Sequence, residues 1–474
     1  MPQRRAERAV FVVLAVATGA FSVLQSLVVP ALGTFRHALD TTPAGAAWIL
    51  TAYLLSASVL TPIIGRFGDL YGRKWLLVAA LGGLCAGSIT SALADNLALM
   101  LAGRVVQGAG GAVFPLSFAI VRDHVAPDRR PRAIGALSAV LSVGGALGTV
   151  AAGPILDHLS YHWLFWIPAG VTAAAAATAA VLVPRSPVDR GGARVGWAGA
   201  LLLASWLTLL LLAISTVGRA DWRSPAAAGL AAGAAALFAV WLRVEARARH
   251  PLVDLRTLWL PTVRATNAAT LLLGLGSFGA WMVVPLLVQQ PAGTGVGFGA
   301  TPTVVGLVML PTAVGNVLVM RWGGSTTNRR GPRVTLLAGT ALSGAAYLLL
   351  AAGHHHLPAV CAAVLLMGGG VGLAFAAVAV LVVEAVPADQ TGLATGINTI
   401  MRTIGGTLGS TVAGSLLTAA LTPAGYPHDG AYLAAFLLFA AALAGSFLVG
   451  TRVPTRPVPG AAAPAALAGL TPAR

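Results

Sequence analysis

Charge is what this chain has least of. Only 9% of its 474 residues are Asp, Glu, Lys or Arg, against about 25% in an ordinary soluble domain. With 57% hydrophobic residues and a mean hydropathy of +0.83, that scarcity excludes a water-soluble globule. Acid is scarcer than base, 14 residues against 30. No Asp or Glu lies near the middle of an apolar run. Cysteine is nearly absent. Cys85 and Cys361 both sit inside apolar runs without metal-type neighbours, which reads as small apolar packing and excludes a disulfide framework. The glycine-rich stretch from Gly293 to Gly299 is not followed by Lys-Ser/Thr, so it is no phosphate loop and ATP-driven work finds no support. His354, His355 and His356 are consecutive, lack helix-face ligand spacing and have no Cys or acid beside them in sequence; no metal site is expected there. No paired carboxylates or His/Asp cluster accompanies a loop long enough to hold a substrate, so an embedded enzyme is disfavoured.

What the chain has instead is apolar length. Fourteen runs, at 9–32, 46–65, 75–94, 97–121, 133–156, 163–183, 197–217, 225–243, 264–290, 303–322, 334–352, 358–383, 391–421 and 430–451, are of the order needed to cross a hydrocarbon core of roughly 30 Å. Backbone groups in lipid must be satisfied within the segment, which makes these runs helices; the short alternating strands of a barrel are not visible. The expected class is an all-α integral membrane protein. The first run is too long for the apolar part of a signal peptide and shows no clear cleavage site, so it is read as a span.

The basic residues orient the spans. If both termini are cytoplasmic, 25 of the 30 Lys and Arg fall on the inner side, three on the outer side, and Arg104 and Arg402 lie within spans. That is a strong positive-inside bias. The net charge of +16 is spread over short loops, which suits anionic lipid headgroups and needs no nucleic acid.

Two polar stretches divide the chain. The expected organisation is a six-helix half at 1–183, a cytoplasmic linker at 184–196, two inserted helices at 197–243, a second cytoplasmic linker at 244–263, a second six-helix half at 264–451, and a disordered cytoplasmic tail at 452–474. Between the second and third spans lies the loop Gly65-Arg66-Phe67-Gly68-Asp69-Leu70-Tyr71-Gly72-Arg73-Lys74. Gly65, Asp69, Gly72 and Lys74 recur at identical spacing as Gly324, Asn328, Gly331 and Arg333. Internal repeats of this kind mark secondary transporters, with the substrate site between the halves.

The first loop resembles the signature loop of the major facilitator superfamily. Arg104-Val105-Val106-Gln107-Gly108 is similar to that superfamily's second motif. Gly144, Gly145, Gly148, Gly153 and Pro154 are similar to its antiporter motif. The fourteen-span layout, Trp48, Tyr53, the stretch from Pro251 to Arg256, Gln289 and the stretch from Arg402 to Gly406 resemble the fourteen-helix drug:proton antiporters. The resemblance covers nearly the whole chain. It implies the major facilitator fold, a multi-pass place in the cell membrane, and export of small amphipathic molecules by proton antiport. The partners it implies are a small-molecule substrate, protons and lipids, with a monomeric chain and no cofactor beyond the proton gradient. Facilitation or import of another small metabolite is the competing expectation.

Residue expectations follow. Gly65, Gly68, Asp69, Gly72, Arg73 and Lys74, with Asp123 as partner of Arg73, form an inner-face latch that breaks when the protein opens inward. Arg104, with Gln107, Gly108 and Asp157, is the coupling candidate, because an intramembrane arginine is functional by default; the alternative is that it snorkels towards Asp95. The glycines of span five are expected to form a tight contact between the halves, although Thr149 stands where the family's motif carries proline. The substrate cavity is expected to draw on Gln25, Trp48, Tyr53, Asn267, Phe278, Trp281, Met282, Gln289, Asn316, Asn398 and Arg402. Span one, from Phe21 to Pro30, lacks the acid often found there in the family. A cavity with one positive charge and no carboxylate suits neutral or weakly anionic amphiphiles better than dications.

Overall fold

The computed structural model describes the chain apart from residues 1, 29–30, 42, 186–195, 221–223, 249–250, 252, 254, 388–389, 420, 423–425 and 455–474. Nearly all of the expected tail and most of the first linker therefore lie outside the described residues. The described residues form α1 (Pro2–Leu27), α2 (Leu32–Ala38), α3 (Pro43–Tyr71), α4 (Arg73–Ala92), α5 (Leu97–Gln107), α6 (Val113–His124), α7 (Arg130–His158), α8 (Trp163–Leu182), α9 (Trp197–Ala220), α10 (Pro225–Arg247), α11 (Leu255–Leu258), α12 (Pro261–Gln289), α13 (Pro302–Arg330), α14 (Pro332–Gly353), α15 (Leu357–Ala385), α16 (Thr391–Ala419) and α17 (Asp429–Gly450). A short 3₁₀ segment, Gly108–Ala112, joins α5 to α6 into one crossing. No strand occurs among the described residues.

Among the described residues, twelve helical crossings are long and apolar enough to span a bilayer. α13 and α16 have 29 residues each. Among the described residues α13 has an apolar stretch over Thr303–Val319, and α16 carries Asn398, Arg402 and a series of threonines. These twelve, with α13 and α16, correspond to the fourteen expected runs.

Two buried apolar clusters anchor the architecture. One joins α1, α4, α6 and α8 through Leu14, Leu24, Leu81, Leu84, Phe118 and Phe165. The other joins α12, α14, α15 and α17 through Leu273, Val284, Tyr347, Met367, Phe436 and Phe439. We call these the first and second bundles. Each excludes its own apolar surface from the surroundings, so the bundles meet along a separate boundary. There α7 packs on α13 and α3 packs on α16. α9 and α10 pack on each other and dock on α16 through Trp206, Leu207, Trp241, Ile397 and Ile400.

The signature segment differs from the expected loop. α3 runs through Gly65, Gly68 and Asp69 to Tyr71, and only Gly72 leaves the helix, at φ 105°. An extended loop would expose polar backbone, whereas continuing the helix keeps those groups bonded. The second copy behaves alike: α13 continues to Arg330 and Gly331 breaks it at φ 85°. Side chains at such angles are strained, so both turns require glycine.

Candidate functional site

The Gly72 break brings the end of α3 and the start of α4 to one point. Arg73 donates to Asp69 from Nε and Nη2, at 3.2 and 2.9 Å. Its Nη1 donates to Asp123 on α6 and, at 3.3 Å, to the Ala119 carbonyl. The side chains of Arg73 and Asp69 are 5% and 0% exposed. Burying an ion costs several kcal/mol even after relaxation, so this pair persists only if its remaining hydrogen-bonding capacity is met. The second bundle meets it. The backbone N–H groups of Gly392 and Leu393 donate to Asp69 Oδ1 and Oδ2 at 3.1 and 3.0 Å. Those N–H groups belong to the first turn of α16, which has no intrahelical acceptors for them and carries the positive end of the helix dipole.

A cation grips the adjoining helix end. Arg122, on α6, donates from Nη1 to the carbonyls of Val383 and Val386 at 2.6 and 2.7 Å and to Thr391 Oγ1 at 2.6 Å. These carbonyls close α15, where the dipole is negative. The first bundle thus holds the α15–α16 turn with an anion on the helix that begins and a cation on the helix that ends. The backbones also touch. A Cβ on Gly65 would stand 2.6 Å from the Gly392 carbonyl oxygen, and one on Gly392 would stand 2.6 Å from that of Gly65. Gly68 faces the Leu116 side chain with similar tightness. Lys74 is apart from this cluster, with its Nζ 5.4 Å from the centre of the Trp75 ring.

Arg104 does not snorkel towards Asp95. It is fully buried, with its Nε donating to the Ile49 carbonyl at 3.0 Å and its Nη1 to Gln107 Oε1 at 2.6 Å. Gln107 Nε2 donates onward to Ser88 Oγ at 2.9 Å. The guanidinium lies 4.5 Å from the centre of the Tyr53 ring, a cation–π arrangement. A Cβ on Gly87 would stand 2.5 Å from the Gln107 nitrogen, so glycine there lets α4 approach this network. Gly108 is equally tight against Ser56 and Ala57 on α3.

Arg402 lies on the boundary itself. Its guanidinium is 5.5 Å from the ring centre of Phe114 on α6 and 5.4 Å from that of Phe375 on α15. Among the described residues, neither Arg104 nor Arg402 has a carboxylate ion-pair partner.

Other expectations need correction. Gly144 and Gly148 face Ser22 and Val23 on α1, within their own bundle. α1 has to pack against α7 to close the first bundle, and the small faces of α7 serve that contact. Only Gly145 looks towards the second bundle, where a Cβ would come 3.8 Å from the Trp281 ring. Gly153 meets nothing within 4 Å and Pro154 is exposed. The side chains of Asp157 and Asn328, and the surroundings of Gly324, lie outside the described residues.

Several proposed cavity groups are occupied by structural bonds. Asn398 Nδ2 donates to Asn267 Oδ1 and Thr270 Oγ1, both at 2.9 Å, tying α16 to α12. Asn316 is buried against Gly368 and Gly372 of α15. Gln289 is exposed. Its neighbour Gln290 is the buried one, accepting from the Tyr432 hydroxyl at 2.7 Å. Tyr53 is buried, Gln25, Trp48 and Met282 are half-buried, and Phe278 and Trp281 are exposed. Sequence reasoning missed Arg122, Phe114 and Phe375. The position of Arg122 beside Asp123 was a visible signal; nothing in the sequence singles out the two phenylalanines.

The geometry defines a class first: a helical membrane protein of two bundles, clamped together at one end and meeting around an arginine. The sequence profile of the Major Facilitator Superfamily matches residues 14–210 and 266–473, and this chain belongs to that superfamily. It is 30% identical over 398 residues, 81% of its length, to an uncharacterised MFS-type transporter of Mycobacterium tuberculosis, of which 55% is covered. It is 30% identical over 66% of its length to a multidrug resistance protein B homolog of the same organism, of which 57% is covered. It is 32% identical over 60% of its length to the cephamycin export protein of Amycolatopsis lactamdurans, of which 61% is covered. The chain therefore spans only a little over half the length of these relatives. In structure it resembles the human organic anion transporter MFSD10, with a TM-score of 0.64, 18% identity, and coverage of 95% of this chain and 100% of that one. That likeness establishes the shared fold.

Proposed function

We propose that this chain is a secondary active exporter of small amphipathic organic molecules of drug or antibiotic type, working by alternating access and driven by proton antiport. The observation that carries this reading is the cross-bundle clamp. Asp69 and Arg122 hold the α15–α16 turn, so one end of the boundary is shut while Arg402 waits along it. A contact built from helix ends and a few buried charges is a two-state element, either fully engaged or released to water. The skew of Lys and Arg supports an orientation with the clamp and both termini on the cytoplasmic side of the cell membrane. The names of the multidrug and cephamycin relatives support the cargo type. The driving force suffices: one charge crossing about 100 mV releases roughly 2.3 kcal/mol, a concentration ratio of about fiftyfold.

The charge pattern narrows the cargo. Arg402 and Arg104 supply positive charge, and no described carboxylate pairs with either. A permanent dication would gain no counter-charge here, whereas a weakly anionic amphiphile gains a guanidinium and aromatic faces. Export assays in proteoliposomes with an imposed pH gradient test this reading. Accumulation of an anionic amphiphile should follow the gradient, and Arg402→Ala should lower its flux by roughly tenfold or more while affecting a neutral analogue less. Flux indifferent to the gradient would remove antiport and leave facilitation.

A further inference from the structure

The fold assembles at the far end of the second bundle what the sequence keeps apart. His354 and His355 lie at the turn after α14, and Asp429 opens α17, 75 residues away. His354 is buried, packed against the Phe436 ring at 5.6 Å between centres. Its Nδ1 lies 3.0 Å from the Leu350 carbonyl oxygen, and its Nε2 lies 2.7 Å from Asp429 Oδ1. A carbonyl oxygen can only accept, so Nδ1 carries the hydrogen. The neutral ring then presents a lone pair at Nε2, facing a carboxylate oxygen that also only accepts. Two acceptors at that separation need a cation between them. His355 adds a third donor atom, with its Nε2 3.5 Å from the same carboxylate oxygen. The ligand atoms of His354, His355 and Asp429 all lie within 4.8 Å of one another.

A proton could bridge one histidine to the carboxylate, but it would leave the other imidazole unused. A metal ion uses all three. We propose that His354, His355 and Asp429 form a binding site for a borderline divalent cation of the zinc class. Two imidazole nitrogens and one carboxylate oxygen are ligands that zinc takes at about 2.0–2.2 Å. Tetrahedral ligand atoms at such distances from one ion stand roughly 3.3–3.6 Å apart; the His355–Asp429 separation of 3.5 Å already fits, and the His354–Asp429 separation of 2.7 Å widens by less than an ångström on binding. The backbone bond at Nδ1 of His354 is the outer contact that fixes the tautomer and aims Nε2 at the metal. The exposed His355 and the half-buried Asp429 leave a route for entry and a fourth position for water. The ion would staple the α14–α15 turn to the start of α17. Both elements belong to the second bundle, so the staple stiffens that bundle without bridging the moving boundary.

The test uses the full chain, free of any histidine tag, purified in detergent, stripped with chelator and titrated with zinc chloride. Binding of about one zinc per chain is expected, with a raised melting temperature. His355→Ala and Asp429→Asn should each weaken binding by at least about tenfold, while the neighbouring exposed His356→Ala should bind as wild type. Cobalt chloride should give an intense visible absorption that His355→Ala abolishes. Zinc uptake that is absent in the wild type, or unchanged in both ligand variants, would overturn the proposal. His355 is exposed, so its alanine variant tests the site without emptying the core. These readouts do not involve transport, so their failure leaves the export reading standing, and the reverse.

Discussion

The two glycine turns, at Gly72 and Gly331, share a backbone and differ in what they hold. Both end a long helix with a single glycine at positive φ, 105° and 85°. Beside Gly72, Asp69 crosses to the N–H groups of α16 in the opposite bundle. Beside Gly331, Arg333 donates to the Thr451 carbonyl just beyond α17, in its own bundle. The turn is therefore common to both repeats, and the clamp between bundles depends on charge placed around only one of them. An anion on α16 and a cation on α15 are both supplied by the first bundle, so opening that end means breaking contacts on one side of the boundary. The second copy keeps its bundle intact while this happens.

The largest expected effect comes from breaking the backbone contact that only the first copy makes. Gly65→Val places side-chain atoms where the Gly392 carbonyl stands, and something must shift. Transport should fall to background while the protein still purifies as a folded chain. Cysteine pairs across α3 and α16 near this end should then lose their cross-linking. Persistent cross-linking with full transport would show that the bundles do not close there.

Asp69→Asn comes next. It keeps the side-chain shape but removes the Asp69 charge from the buried Arg73, which still pairs with Asp123. Removing one member of a buried pair costs about 3–5 kcal/mol, and the retained amide oxygen offsets part of that. Thermal unfolding in detergent should drop, and labelling from the clamp end should rise. Arg333→Ala, which removes the charge beside Gly331 in the second copy, should cost only about 0.3–1 kcal/mol, as for a cation at a helix end. It should leave labelling at the clamp unchanged. Equal effects of the two variants would erase the distinction between the copies.

The smallest effect is expected from Gly331→Ala. The positive φ there makes a side chain unfavourable by about 1–2 kcal/mol, but nothing stands within 4 Å of the added atom. Stability should fall slightly and transport should persist.

Much of this was legible beforehand, for identifiable reasons. Long apolar runs and a skewed tally of arginines are one-dimensional signals, and they sufficed for helices and their order. Arg73 with Asp69 and Asp123 was legible because charge is rare enough here for each instance to stand out. Gly144 and Gly148 meet α1 in place of the opposite half, because small residues announce a close contact without saying with what. Asn267, Asn316 and Asn398 were read as cavity groups, yet two bond each other and the third faces α15. A buried amide looks the same in sequence whether it awaits a ligand or already has a neighbour.

By itself the sequence determined an all-helical, two-bundle membrane chain with a repeated glycine turn and a charge cluster beside the first copy. Helix formation in lipid is a local requirement, since each backbone group must be satisfied within its own segment, and local requirements can be read from local composition. Only the tertiary structure decided that Asp69 meets α16, that Arg122 closes α15, that Arg402 stands between two phenylalanines, and that Asp429 comes to His354. Those contacts join residues tens to hundreds of positions apart. Their partners are helix ends, aromatic faces and backbone groups, which carry no mark in a sequence until packing brings them together.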